Sequence, residues 1–288
     1  MDFNPYLLLG GAVVGLLIGL TGAGGGSLMT PMLTILFGLR TPTAIASDLV
    51  ATLFIRPVGA LVHGRRGSVH PGIVRYAALG AVPGAIVGTF ILHELGQTKS
   101  GEAVLQHALG AALLLGCLAT VLRTLRQDRT AASVPTSQVA VRPVPTALVG
   151  SVGGVLVGLT SVGAGSVLVV LLLFLYPSLE TRQIVGTDLL LAVPLTLAAA
   201  GGALIYGHVR LDVSFALVAG AVPGVVAGSL LAGVLPERLI RPAVTAVVFA
   251  SGLKYAGADG RIVLASLLAG LLVAALIGSR KPTRDPAD

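Results

Sequence analysis

The sequence feature that most constrains this chain is a series of long intervals without Asp, Glu, Lys or Arg. A membrane-spanning helix needs about 20 mostly apolar residues. Of all residues, 55% are hydrophobic and only 11% are charged, with a mean hydropathy of +0.94, whereas roughly a quarter of the residues in soluble domains are charged. The chain is therefore predicted to lie in a lipid bilayer. The charge-free intervals are 3–39, 76–93, 103–122, 143–179, 189–209, 213–236 and 262–279, and two less regular apolar segments are 44–64 and 239–254.

These segments are predicted to be helices, because a bilayer leaves no other partner for backbone amides except a closed barrel, and a barrel requires alternating apolar and polar residues that are missing here. The excess of basic residues, with a net charge of +7, suits basic cytoplasmic loops and does not indicate nucleic-acid binding. The one cysteine, Cys117, excludes an internal disulfide.

The second half of the sequence repeats the first. At an offset of 139, residues 15–28 match 154–167 with eight identities in fourteen positions. At an offset of 140, three further blocks match in the same order, ending with GAVPGAIVG at 80–88 and GAVPGVVAG at 220–228. We therefore predict a first transmembrane repeat at 1–122, a polar cytoplasmic linker at 123–142 and a second repeat at 143–257. An additional C-terminal helix at 258–279 and a disordered tail at 280–288 follow.

Each repeat opens with a charge-free interval of 37 residues that has a glycine cluster near its middle. A continuous helix of this length would span about 55 Å, so we expect a broken element, with irregular backbone at the glycines. Such backbone at membrane depth must line protein or a water-filled cavity.

The element either crosses the membrane or enters and returns. If it returns, the sides carry thirteen and five Lys and Arg, with Arg56 left out, against ten and eight if it crosses. Positive charge on the cytoplasmic side favours the re-entrant arrangement, three transmembrane helices per repeat, and inverted repeats.

The glycine clusters are candidate anion sites, since glycines allow close approach to a ligand and a following helix presents free amides and a positive dipole end. Small residues also permit close helix packing, which is the alternative explanation. The predicted substrate-binding residues combine both clusters with an intramembrane arginine: Thr21, Gly24, Gly25, Gly26, Ser27, Arg56, Thr160, Gly163, Gly165 and Ser166.

Ionisable residues within the apolar segments are the candidates for coupling, because burying charge in a membrane is costly. Asp48 and Asp188 occupy equivalent positions in the two repeats. Either is able to carry a proton or bind a cation, or alternatively to satisfy amides in the first turns of its helix. Arg56 has no counterpart and suits either an oxyanion or an internal salt bridge with Asp48. His63 is a candidate proton shuttle, although an interfacial histidine is also commonly solvated.

The doubled block GLLIGLTGAGGGSLMTPML, Asp48 after Ala46 and Ser47, and His63 before the segment 67–69 resemble the sulfite exporter TauE/SafE family of bacterial permeases. The resemblance covers residues 8–275 and implies an inner-membrane permease for sulfite, sulfoacetate or other sulfonates. The second half departs from the stronger pattern, with Ser161 in place of Gly22 and Ala203 in place of His63.

We therefore expect an all-α integral membrane protein that transports small anions by alternating access. No nucleotide-binding or hydrolase motif occurs in the sequence, so we expect no enzyme activity, cofactor or metal. The alternatives are an anion channel or an intramembrane enzyme. The expected partners are the anionic substrate, the lipid bilayer and protons as a coupling ion, and the sequence leaves a homodimer open. The expected location is the bacterial inner membrane, with the linker and the C-terminus cytoplasmic.

Overall fold

The computed structural model describes residues 5–21, 26–63, 69–127, 140–162, 167–177, 179, 181–232 and 237–279. Within these ranges the chain forms eleven helices and no strand. They are α1 (Pro5–Thr21), α2 (Gly26–Ile35), α3 (Thr41–His63), α4 (Pro71–Gly96), α5 (Lys99–Gln127), α6 (Pro143–Thr160), α7 (Val167–Leu175), α8 (Thr181–Tyr206), α9 (Leu211–Leu231), α10 (Glu237–Tyr255) and α11 (Gly260–Ser279).

Five helical segments in the described ranges are long and apolar enough to cross a membrane. They are Pro71–Gly96, Lys99–Leu122, Pro143–Thr160, Gly186–Tyr206 and Leu211–Leu231, and shorter apolar segments are Pro5–Thr21 and Gly260–Leu276. The described ranges are therefore all-helical, as predicted, and their long apolar helices are consistent with a membrane protein. Helix α5 continues to Gln127, so the polar linker predicted to start at residue 123 begins inside a helix.

The first interval of each half is divided into a long and a short helix, α1 with α2 and α6 with α7. Gly10, near the start of α1, lies against Met32 in the second half of α2 and against Phe37 just after this helix. In the second half, the Tyr176 hydroxyl, just after α7, accepts a hydrogen bond from the Arg142 amide at the start of α6, at 3.0 Å. Each short helix therefore runs back towards the end at which its long helix began, as the re-entrant alternative requires.

Small residues bring helices from the two halves into close contact. Gly11, Gly15 and Gly19 of α1 face α9, where Gly220, Gly224 and Gly228 face α1 in return. A Cβ atom built on Gly15 would lie 2.3 Å from the carbonyl oxygen of Ala221. The same relation joins α4 and α6, where Gly84 faces Ser151 and Gly154 faces Ala81. Because these glycines have no side chain, the helix backbones approach each other closely, as in small-xxx-small packing.

The two halves also run in opposite directions. Successive residues of α1 face successive residues of α9, so these helices are parallel, and α6 is parallel to α4 by the same criterion. The end of α4 at Gly96 contacts His208, which lies just before α9. The start of α9 therefore lies at the end of the bundle where α4 finishes. Because α1 starts beside the start of α9 and α6 starts beside the start of α4, α1 and α6 start at opposite ends of the bundle.

Candidate functional site

The centre of the site is the point where the two broken elements touch. Gly26 opens α2, and a Cβ atom at this position would lie 1.9 Å from the carbonyl oxygen of Ser161, which follows α6 directly. Gly26 is nine residues from the end of α2, a rise of about 14 Å, which is roughly half of a hydrocarbon core about 30 Å thick. The breaks in the two halves therefore meet inside the bundle.

The backbone at the second break is held by its own polar groups. Ser161 has φ of 59° and ψ of −2°, the left-handed conformation that commonly ends a helix, and its amide donates to the Val157 carbonyl at 2.7 Å. The Thr160 hydroxyl donates to the Leu156 carbonyl at 2.6 Å and accepts from the Val162 amide at 3.2 Å. Ser161 and Thr160 are almost completely buried, so contacts within the protein hold this end of α6.

Asp48 lies in the wall of the site and is fully buried. The Thr30 hydroxyl, from α2, donates to its Oδ2 at 2.7 Å, and the Thr52 hydroxyl, one turn along α3, donates to its Oδ1 at 3.1 Å. The Ser161 hydroxyl of the other half is close enough to influence the same carboxyl group. Asp48 is therefore held by side chains and does not cap the first turn of its helix, which was the alternative explanation.

Arg56 lies two turns further along α3 and interacts electrostatically with both aspartates, more strongly with Asp188 than with Asp48. Asp188, on α8, is 4% exposed. The position equivalent to Arg56 is Thr196, whose hydroxyl donates to Ala192 of its own helix at 2.8 Å. The centre thus combines one guanidinium group with two carboxyl groups and is not symmetric.

The two aspartates lie towards opposite ends of the bundle. Beside Asp48, the Ser47 hydroxyl accepts from the Arg210 amide at the start of α9, at 3.0 Å. Beside Asp188, the Thr187 hydroxyl accepts from the His70 amide at the start of α4, at 3.2 Å. Because α4 and α9 begin at opposite ends, each carboxyl group is nearer to one end.

The structure brings part of the predicted site together. Gly26, Arg56, Asp48, Asp188 and Thr160 all lie at or around the contact between the halves. Thr21 ends α1 with its hydroxyl bonded to Leu17 of the same helix at 2.7 Å, and Ser27 stands partly buried in the first turn of α2. Five predicted residues and one side chain lie outside the described residues: Gly24, Gly25, Gly163, Gly165, Ser166 and the side chain of His63.

Sequence reasoning missed three hydroxyl residues of the centre, Thr30, Thr52 and Ser161. Thr52 carried a signal, since it stands four residues after Asp48 and so shares its helix face. Ser161 carried a different signal, because the second repeat has this serine where the first repeat has a glycine. Thr30 is close to Asp48 only because α2 folds back along α1, and no local sequence pattern predicts this.

Comparison with known proteins decides the family. The family model for sulfite exporter TauE/SafE matches residues 7–255. The chain belongs to the TauE/SafE family. The chain is 33% identical over 254 residues to the probable membrane transporter protein YjnA of Bacillus subtilis (strain 168), covering 86% of this chain and 98% of YjnA. It is 26% identical over 240 residues to the probable membrane transporter protein YdhB of the same strain, covering 81% and 91%.

No solved structure shows significant similarity to this TauE/SafE member. The predicted family is confirmed by the match, and the long apolar helices agree with a multi-pass membrane protein. The names of the family and of the two relatives indicate a membrane transporter rather than an enzyme.

Proposed function

We propose that this TauE/SafE member is a secondary transporter for small anions, with sulfite, sulfoacetate or another organosulfonate as its cargo. The observation that carries the proposal is the contact between Gly26 and Ser161 inside the bundle. A helix break at membrane depth is tolerated where it is buried in protein or lines a water-filled cavity, and the amino end of α2 places a positive dipole end beside this break, which favours an anion. The first turn of α2 contains no acidic residue that would oppose this.

Alternating access is the transport mechanism that this architecture supports best. The reciprocal packing of α1 on α9 and of α6 on α4, with opposite directions for the two halves, is what inverted repeats produce. Movement of one half against the other would open the central contact first to one side and then to the other. The position of Asp48 towards one end and Asp188 towards the other suits such a movement.

The charges of the centre support a role for protons. With one guanidinium group against two carboxyl groups, a bound anion would bring further negative charge to a buried site. Protonation of Asp48 or Asp188 offsets one negative charge, and burial favours the neutral form of a carboxyl group in general. We therefore propose that anion binding is accompanied by proton uptake at one of these aspartates, with His63 remaining a candidate shuttle.

Charge distribution supports the orientation. The ends of α3, α5 and α10 that carry few Lys and Arg face away from the cytoplasm under the positive-inside rule. We propose a bacterial inner-membrane location in which the linker and the C-terminus are cytoplasmic.

The experiment has two stages on purified full-length protein. Sulfite, sulfoacetate, sulfate, thiosulfate and taurine are first compared by the shift in melting temperature, and positive anions are then followed in proteoliposomes. A carrier gives saturable flux and counterflow, which a channel does not. Arg56→Gln is expected to weaken the thermal shift and the flux together. Flux of a neutral solute with no response to any anion would overturn the proposed substrate class.

A further inference from the structure

The two halves of the bundle form the same kind of contact at its two ends. At one end, the Ser47 hydroxyl of α3 accepts a hydrogen bond from the Arg210 amide before α9, at 3.0 Å. At the other end, the Thr187 hydroxyl of α8 accepts from the His70 amide before α4, at 3.2 Å. The two hydroxyl residues are related by the repeat offset of 140, and so are the two amides. Each contact therefore joins one half to the other at equivalent positions of the repeat.

Each contact lies directly beside a buried carboxyl group. Ser47 precedes Asp48, and Thr187 precedes Asp188. Ser47 and Thr187 are 0% and 1% exposed, so water reaches these hydroxyl groups only when the surrounding helices separate. Separation of either contact would therefore expose the helix segment that carries the neighbouring aspartate.

These two contacts differ in kind from the packing between the glycine-lined helices. Backbone contacts such as Gly15 with Ala221 join α1 to α9 over several turns, and α4 is joined to α6 in the same way. Van der Waals packing holds such interfaces, so their separation would break many contacts at once. A hydroxyl–amide contact is a single hydrogen bond, and a bridging water is enthalpically nearly as good as a direct bond. The hydroxyl contacts are thus suited to break and reform while the glycine-packed pairs stay together.

We infer, on the basis of the proposed function, that these two contacts are the gates of alternating access and that they open in turn. The α9 gate is Ser47 with Arg210, and the α4 gate is Thr187 with His70. Ser47 and Thr187 are then positioning residues, which act on the neighbouring aspartates by holding α3 against α9 and α8 against α4. Since both contacts are formed in the same structure, this structure corresponds to the closed intermediate between the two open states.

The two gates differ in their number of hydroxyl contacts. At the α9 gate, the Ser214 hydroxyl also donates to the Ser47 carbonyl at 2.9 Å, with a longer contact of 3.3 Å to the Arg210 carbonyl. The equivalent position at the α4 gate is Val74, which has no hydroxyl. The net contribution of one hydrogen bond changes an equilibrium by about two- to tenfold. We therefore expect the α4 gate to open more often than the α9 gate.

Hydrogen–deuterium exchange of the purified full-length protein tests the gates directly, because the His70 and Arg210 amides are themselves the donors. Thr187→Val removes the acceptor of the α4 gate and keeps the shape of the side chain. We expect the peptide that contains His70 to exchange about two- to tenfold faster than in the wild type. The peptide that contains Arg210 should exchange more slowly, since an open α4 gate requires a closed α9 gate. Ser47→Ala should give the mirror image.

The opposite change at the far end separates a gate from a purely structural contact. If Thr187 only stabilises the fold, Thr187→Val will speed exchange at both ends or at His70 alone, and either result overturns the inference. The matched control is Thr196→Val on the same helix, where the hydroxyl bonds to carbonyls of α8. Opposite changes at the two ends in this control would also contradict specific gates.

Ser214→Ala is a milder variant, because it leaves both hydroxyl–amide contacts in place. We expect faster exchange at Arg210 together with slower exchange at His70. Exchange at Arg210 that changes with no opposite change at His70 would contradict linked gates, as would no change at either end.

Flux measurements on the same proteins separate the gates from the proposed function. Saturable anion flux in the wild type, combined with independent exchange at the two ends, overturns the gates and leaves the anion transporter standing. Linked exchange in a protein that moves no anion of the panel overturns the proposed cargo and leaves the gates.

Discussion

Single residues at the centre are held by polar contacts that cross between helices. Asp48 is the clearest case, because its carboxyl group has one hydroxyl donor from α2 and one from α3. Hydrogen bonds to a buried charged group contribute more than neutral ones, and a missing partner is correspondingly expensive. The hydroxyl residues around Asp48 are therefore expected to stabilise the fold as well as to shape the site.

Replacing Thr30 by valine tests this contribution. Thr30→Val keeps the shape of the side chain and removes the donor to Asp48, so we expect a loss of about 1.5–3 kcal/mol in the free energy of unfolding. The measurement is thermal or denaturant unfolding of the purified protein in detergent. Thr196→Val is the matched control, because Thr196 is equally buried but its hydroxyl bonds only to carbonyls of its own helix. Equal losses for the two variants would contradict the role given to Thr30.

His208 makes the stability of the protein sensitive to pH. It lies in the short connection between α8 and α9, where partial burial lowers the pKa of its imidazole, and His93 and Arg40 lower it further. The His208 and His93 rings have centroids 5.2 Å apart. As the pH falls through the ordinary histidine pKa near 6.5, the unfolded chain takes up this proton before the folded one does. The contribution of His208 therefore reduces stability on acidification.

The comparison is made with His208→Asn, because asparagine tolerates the positive φ of 69° at this position. Between about pH 7.5 and pH 5.5, we expect the melting temperature of the wild type to fall further than that of the variant. His107→Asn, at an exposed position on α5, controls for the loss of a histidine as such. An identical pH dependence in the wild type and His208→Asn would show that this pKa shift has no effect on stability.

At the scale of helices, the glycines allow two kinds of close contact, one between packed helices and one between the two helix breaks. The hypothesis of an anion site and the alternative of close packing were both raised for the glycine clusters. In the structure, the regularly spaced glycines of α1, α4, α6 and α9 lie in close contacts between helices. Gly26 differs from them, since its close neighbour is the backbone of the opposite helix break.

Gly15→Ala tests the packing role. The new Cβ atom would lie 2.3 Å from the Ala221 carbonyl oxygen, so α1 and α9 must separate, at a cost of about 1–3 kcal/mol. Gly201→Ala on α8 is the control, because nothing lies within 4 Å of its Cβ position and alanine favours a helix by about 0.5–1 kcal/mol. Melting temperatures should move in opposite directions for the two variants. A stable Gly15→Ala protein would contradict tight contact between these helices.

The helices themselves could be predicted well from sequence for a physical reason. Apolar intervals of limited length must become helices in a bilayer, so the two breaks were expected near Leu20 and Leu159, and α1 and α6 end within one residue of these positions. The return of each short helix was left open, because charge counting gives only a preference. It depends on contacts such as Gly10 with Met32, which join residues far apart along the chain.

At the scale of the whole molecule, the site arises from the two halves together. Neither half alone contains both Gly26 and Ser161, and the charges of Arg56, Asp48 and Asp188 are likewise divided between them. The sequence predicted Arg56 and the aspartates as functional candidates, because burying a charged side chain in a membrane is energetically costly. It did not predict which groups would surround them, since this is decided by how the halves dock.

The most direct measurement of the central claim is a structure of the full-length protein determined with sulfite bound. We expect density for the anion inside the bundle, beside the contact between Gly26 and Ser161 and near Arg56. Density on the outer surface of the helices, or at one end of the bundle with Gly26 and Ser161 in unchanged contact and no anion near them, would contradict it.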